Sequence, residues 1–158
     1  MKNSGITLIT LVVMIAVIII LTSIFMASGL DSLNEAKNTE IKNEIYQLSQ
    51  AVSNRYTSYE KNDGNIVLHG TLAKNVSDFD DVDKCMDKIT SALKFDEDET
   101  QEDRQGKINR INSEITRDYE KFVMVIDAND RVKLGMENST DNIYIVDYFT
   151  GSVYGPIE

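Results

Sequence analysis

Three acidic runs are the first residues in this chain whose types and spacing could do chemistry. They are Asp78-Phe79-Asp80-Asp81-Val82-Asp83, Asp96-Glu97-Asp98-Glu99, and Asp127 with Asn129 and Asp130. A hard cation such as calcium needs several oxygens converging on one loop. None of the runs has the EF-hand pattern: counted from Asp78, the loop glycine is missing and Ile89 falls where the closing carboxylate belongs. Charged runs of this kind are read as solvated loops. His69 is the single histidine and Cys85 the single cysteine. Together they could form a thiol–imidazole pair, but nothing in the sequence brings them together and no glycine-rich catalytic elbow accompanies them. Phosphate-binding loops and zinc spacings are also missing. The expectation is a chain with no enzymatic activity and no cofactor. Cys85 is expected as a half-buried helical thiol, with an interchain disulfide as the lesser alternative; a lone cysteine cannot form an intrachain one.

The elements that must position these residues are unevenly built. The chain has 158 residues, 42% of them hydrophobic, and a formal net charge of −10. That charge repels phosphate backbones, and no basic patch with interleaved aromatics is present, so direct nucleic-acid binding is not expected. Much of the Ile, Leu, Val and Met lies before residue 28. The chain beyond residue 60 amounts to about 100 residues, enough for one modest core.

From Ile6 to Ala27 there is no charged residue and no proline. As an α-helix this stretch spans about 33 Å, enough to cross the hydrocarbon layer of a bilayer. Thr7, Thr10, Thr22 and Ser23 are small hydroxyls that can bond back to the helix backbone. The rest of the chain is too small to bury such a segment all round, so it reads as a single membrane span. Lys2 precedes the span and Asp31 and Glu35 follow it. The positive-inside bias then puts residues 1–5 in the cytoplasm and the bulk of the chain outside the cell membrane. A signal peptide cut after Ala27-Ser28-Gly29 is the alternative, disfavoured because secretory apolar regions run only about 7–15 residues.

The string Gly5-Ile6-Thr7-Leu8-Ile9 at the head of the span resembles the cleavage signature of type IV prepilins, the precursors of pilins and pseudopilins. The resemblance implies a leader over residues 1–5, removed after Gly5 by a membrane prepilin peptidase, and N-methylation of the new terminus Ile6. It implies that residues Ile6, Thr7, Leu8, Ile9 and Thr10 head an assembly helix over residues 6–29. The other implied partners are further pilin subunits, an assembly ATPase with its membrane platform, and the membrane itself. Thr10 stands where the family usually has Glu. Tip-capping pseudopilins commonly lack that Glu, so Thr10 fits a minor or tip subunit, or else a branch in which Thr is normal. Some pseudopilins bind calcium near the C-terminus, which makes Asp127, Asp130, Asp141 and Asp147 the donors to test.

Beyond the span, Leu30, Leu33, Ile41, Ile45, Leu48, Val52, Tyr56 and Tyr59 recur at helical steps, with Lys37 in one slot. Glu35, Glu40, Glu44, Lys37 and Lys42 are assigned to a mixed-charge exterior. The spacing predicts a helix running from about Ile6 to about Glu60, weakest at Gly29, with an amphipathic second half over residues 30–60. The globular part, residues 61–158, opens with a turn at Asn62–Asn65 and an extended piece at Ile66–Leu68. A helix is expected next, within residues 76–95, then an acidic loop to about Gly106 and a short helix over residues 107–119. Strands are expected at Phe122–Ile126, Val132–Met136, Ile143–Phe149 and Ser152–Tyr154, with Ala128-Asn129-Asp130 as a hairpin turn. The Tyr144–Tyr154 ending is similar to the C-terminal strands of some Gram-positive pilin-like proteins.

The expected fold is therefore α+β, a long N-terminal helix packed on a small antiparallel sheet. The expected function is a structural subunit of a type IV pilus or a type II secretion-like pseudopilus, at the cell surface after assembly. Such fibres serve adhesion, motility, secretion or DNA uptake. The alternatives are an unprocessed single-pass membrane protein with an outer ligand- or protein-binding domain, and a secreted binding module.

Overall fold

The structure, a computed structural model, describes residues 35–137 and 140–157. The expected leader, the apolar span and Gly29 lie outside the described residues, and among those described no helix is long and apolar enough to cross a membrane. The chain divides between Lys42 and Asn43 into two units, and the second holds the whole sheet.

Helix α1 covers residues 35–61. Its predicted stripe is real where it meets the sheet: Leu48 and Val52 are buried, and Ile45 and Tyr56 pack beside them. The helix ends at the Asn62–Asn65 turn as expected, where Asp63 and Gly64 take positive φ and the Gly64 N–H donates to Tyr59 O over 2.9 Å.

Four antiparallel strands lie in the order β1-β2-β3-β4. They are β1 Thr71–Leu72, β2 Val123–Ile126, β3 Ile143–Asp147 and β4 Ser152–Ile157. The register pairs Val125 with Ile145, Ile126 with Tyr144, and Val146 with Val153. Strand alternation sorts the side chains onto two faces. Met124, Ile126, Tyr144, Val146 and Tyr148 face α1. Val123, Ile145, Tyr154 and Ile157 face the opposite way, toward α2 (Val82–Ala92) and α3 (Gln101–Asp118). The domain is thus an α+β fold of three layers, with the four-stranded sheet in the middle.

Helix α2 matches the predicted apolar spacing, with Cys85, Met86 and Ile89 buried and Asp81 capping its first turn. Cys85 is fully rather than half buried. Three expectations are corrected. The acidic loop ends at Thr100 rather than Gly106, because Thr100 and Asp103 form a capping box that starts α3 at Gln101. The segment Ala128–Lys133 is a short helix, α4, instead of a hairpin turn and the start of a strand. Asp127 caps it, accepting from the Asp130 N–H over 2.8 Å, and Gly135 at φ +85 turns the chain beyond it. The Val132, Leu134, Met136 alternation is only apparent, since Val132 is exposed while Leu134 and Met136 lean on the α1-side core. Third, the short edge strand β1 lies beyond the extended piece predicted at Ile66–Leu68 and has no counterpart among the expected strands.

Candidate functional site

Two buried polar centres stand out in the domain, and neither is evident from the sequence. The first lies on the α1 side. Glu44, expected on the exterior of α1, is 6% exposed, and Arg131 of α4 is fully buried. Arg131 Nη1 lies 2.7 Å from Glu44 Oε1. Thr140 Oγ1 donates to the same oxygen over 2.8 Å, Asn142 Nδ2 donates to Glu44 Oε2 over 3.1 Å, and the Tyr144 hydroxyl donates to Oε2 as well. Arg131 Nη2 is bonded to Thr140 O, and the guanidinium carbon sits 5.5 Å from the Tyr144 ring centre. Burial pushes the Glu44 carboxyl up, but the Tyr144, Asn142 and Thr140 bonds and the Arg131 charge outweigh it and leave it below its ordinary 4.5. Burial and the neighbouring carboxylate push the Tyr144 hydroxyl up strongly, so it remains a donor. Glu44 thus accepts from three side chains and is ion-paired to Arg131, whose Nη2 is spent on the Thr140 carbonyl while Nε and Nη1 are buried without a hydrogen-bond partner. The centre ties α1, α4 and β3 together, which is a structural task.

The second centre lies on the other face, at the end of α3. Asp118 is 6% exposed and Asp147 fully buried. Arg117 Nε grips both Asp118 oxygens over 3.0 and 3.1 Å. Asp147 accepts from the Phe149 N–H and from Thr150 Oγ1, each over 3.0 Å, and so shapes the β3–β4 turn. Burial, then the neighbouring Asp118, push the Asp147 carboxyl up to about 6, against the Thr150 bond.

The four carboxylates expected as calcium donors do not gather. Asp127 caps α4, and Asp130 in its first turn is held by Lys133 at 2.8 Å. Asp147 is opposite Val123, at the far end of β2 from Asp127, and Asp141 is exposed. Among the described residues no group of three or more His, Cys, Asp or Glu could hold a metal ion. His69 and Cys85 are also apart. The charged neighbours of His69 are Arg55, Lys133 and Asp130; burial and the two cations hold its imidazole below 6.5. Cys85 lies in the core on the α2 side, where burial and the nearby Asp81 raise its thiol to about 12.

A groove of about 810 Å³ runs along the outer face of α1, between Gln47, Gln50 and Asn54 on one side and Lys133–Glu137 on the other. Its lining mixes uncharged polar, charged and apolar side chains, and Tyr46 in that lining is 67% exposed. An aromatic cluster of Tyr56, Tyr59, Phe122 and Phe149 sits at the C-terminal end of α1, with rings 5.4 to 6.3 Å apart. Phe149 is 49% exposed, and Arg117 stacks over it at 4.8 Å.

The signals for the first centre are faint in sequence: Glu44 falls beside the apolar stripe, one turn before Leu48, and Arg131 is embedded in an apparent turn. Gly5 to Thr10, the residues expected to serve processing and assembly, lie outside the described residues. Comparison with protein-family models, with curated proteins and with solved structures finds no match to this chain.

Proposed function

We propose that the chain is a pilin-like structural subunit, processed after Gly5 and assembled through its apolar N-terminal helix into a type IV pilus or a secretion pseudopilus. The observation that carries this reading is the position of Gly5-Ile6-Thr7-Leu8-Ile9, at the head of an uncharged span and behind a short polar leader. A helix whose Leu48 and Val52 pack on a four-stranded antiparallel sheet is the kind of head that such an anchor would carry. In this reading Ile6 is the N-methylated terminus, Thr10 marks a minor or tip subunit, and a prepilin peptidase and an assembly ATPase with its platform are the partners. Both buried polar centres serve structure, which agrees with a subunit whose task is assembly rather than turnover.

The test is the intact mass and N-terminal peptide of the protein from native membranes and from sheared surface material. A chain beginning at Ile6, one methyl heavier, supports the reading, and Gly5→Trp should then block processing. A chain beginning at Met1 and confined to membranes would overturn it in favour of an unprocessed single-pass protein with an outer binding domain.

A further inference from the structure

The helix wall of the groove on α1 is built from side chains that both give and accept hydrogen bonds. Gln47, Ala51, Asn54 and Ser58 follow one another at steps of four, three and four, so they form one stripe, with Gln50 beside it. From Gln47 to Asn54 the stripe rises about 10 Å. A side-chain amide offers an acceptor oxygen and two donor hydrogens. Those of Gln47, Gln50 and Asn54 make no hydrogen bond to another described residue. Asn62, just past the helix, is different: its Nδ2 donates to Ser58 O over 2.8 Å. The Tyr46 ring, 67% exposed and one turn before Gln50, adds an open aromatic face to the same wall.

The opposite wall is held in place and bonded within itself. Glu44 stands three residues before Gln47 and Arg131 two residues before Lys133, so their 2.7 Å pair fixes the two walls to one another. The Gly135 N–H donates to Val132 O over 2.9 Å, and the Leu134 and Met136 N–H groups donate to Asp130 O and Arg131 O, each over 3.0 Å. Nothing lies within 4 Å of a Cβ added at Gly135, which keeps this rim of the groove low.

The charges of the lining cancel. Its cations are Arg55 and Lys133, its anion is Glu137, and Lys133 is already held by Asp130 at 2.8 Å. Such a set selects neither a phosphate nor a polycation. An extended peptide is recognised along a free sheet edge, with pockets for alternate side chains. Here the walls are a helix and a helix–turn segment whose main-chain donors are spent. Uncommitted amides beside an open ring match the neighbouring hydroxyls and the C–H face of a pyranose. We propose that the groove binds a neutral oligosaccharide, with Tyr46 stacked on one sugar ring and Gln47, Gln50 and Asn54 bonded to hydroxyls. Its volume of about 810 Å³ falls in the range of ligand sites, about 300–1,000 Å³.

Amide NMR of the full-length chain tests this in phosphocholine micelles, a detergent without a sugar headgroup. Cellotetraose, chitotetraose and maltotetraose are titrated separately to about 20 mM, a range suited to a Kd on the order of 1 mM. At least one should give saturable shifts centred on residues 46–58 and 133–137, with an affinity that does not change with added salt. Tyr46→Ala and Gln50→Ala alter exposed side chains and should leave the thermal midpoint in place. They should weaken binding about tenfold and about fivefold. Absence of saturation with all three sugars, shifts centred elsewhere, or variants that bind as tightly as the parent chain would overturn the proposal. Saturation of the groove by a neutral serine–glycine tetrapeptide and by none of the sugars would overturn it in favour of a peptide site.

Discussion

Arg131 of the short helix α4 and Glu44 of α1 meet at 2.7 Å, 87 positions apart in sequence, and both are buried. Desolvating two charges costs several kcal/mol each, and only a well-bonded pair offsets it. Thr140, Asn142 and Tyr144 supply the missing bonds to Glu44. Removing one partner leaves the other charged and buried. Glu44→Ala and Arg131→Ala should each cost about 3–5 kcal/mol, read by denaturant unfolding of the full chain in micelles. The double change Glu44→Leu with Arg131→Met should cost much less than the sum, because no orphan charge remains. Additive losses would show that the two residues act independently.

Stability should peak in mildly acidic solution, since the two buried centres respond to pH with opposite signs. Glu44 has a folded-state carboxyl below its ordinary 4.5. Its contribution is complete above that value and is lost as pH falls through the lower, folded-state one. Asp147 is raised from 3.8 to about 6. Its contribution is complete below 3.8 and is lost as pH rises through about 6. Unfolding midpoints measured from about pH 3 to about pH 8 should be highest near pH 5. Asp147→Asn should flatten the alkaline side of the curve and leave the acid side in place.

Gly70 has no tolerable replacement. Its φ is +112, and a Cβ there would lie 2.5 Å from Ile126 Cδ1 and 2.9 Å from the Val125 carbonyl oxygen, so the chain leading into β1 can approach β2 only without a side chain. Gly70→Ala should cost about 2 kcal/mol or more. Gly106 is the contrasting case. It lies in the exposed interior of α3 with nothing within 4 Å of an added Cβ. Gly106→Ala should stabilise by about 0.5–1 kcal/mol. Thermal melts of the two variants should move in opposite directions.

The elements read correctly from sequence are those whose apolar period matches their burial. The Leu48–Val52–Tyr56 stripe and the Met86–Ile89 face of α2 bury the side that the spacing indicates, and the strand expected at Ile143–Phe149 forms β3, buried on both faces from Tyr144 to Asp147. Misreadings arise where polar capping or pairing overrides that period. Thr100 and Asp103 start a helix inside a run that looks like a solvated loop, and mostly polar α3 buries only Ile111, Ile115 and Asp118. Asp127 and Gly135 frame a helix where Val132, Leu134 and Met136 imitate a strand. Buried charges are the hardest to foresee, because nothing local distinguishes Glu44 or Asp118 from neighbouring exposed acids. Arg131, the partner of Glu44, becomes its neighbour only through the tertiary fold.

The capping box at the start of α3 gives a direct measure of how far local signals hold this helix. The Thr100 hydroxyl accepts from the Asp103 N–H over 3.2 Å and donates to the Asp103 carboxylate over 2.6 Å. Thr100→Ala removes both bonds and should cost about 1 kcal/mol, with exchange increasing first in residues 101–104. Thr100→Ser retains the oxygen and should restore most of the loss.

Cys85 should be chemically silent until the domain unfolds. The thiol is fully buried among Phe79, Met86, Ile89 and Tyr119, and burial with the nearby Asp81 raises it to about 12. The reactive species is the thiolate, so both access and ionisation oppose modification. Iodoacetamide at about pH 8 should leave the folded chain unlabelled over hours and label it fully in denaturant. Cys85→Ala should leave that background blank and cost about 1–2 kcal/mol through lost packing. Ready labelling of the folded chain, or a disulfide-linked dimer in non-reducing gels of native material, would mean that the α2 face opens enough to bring Cys85 to the surface. In that case the interchain disulfide considered for this lone cysteine would again be open.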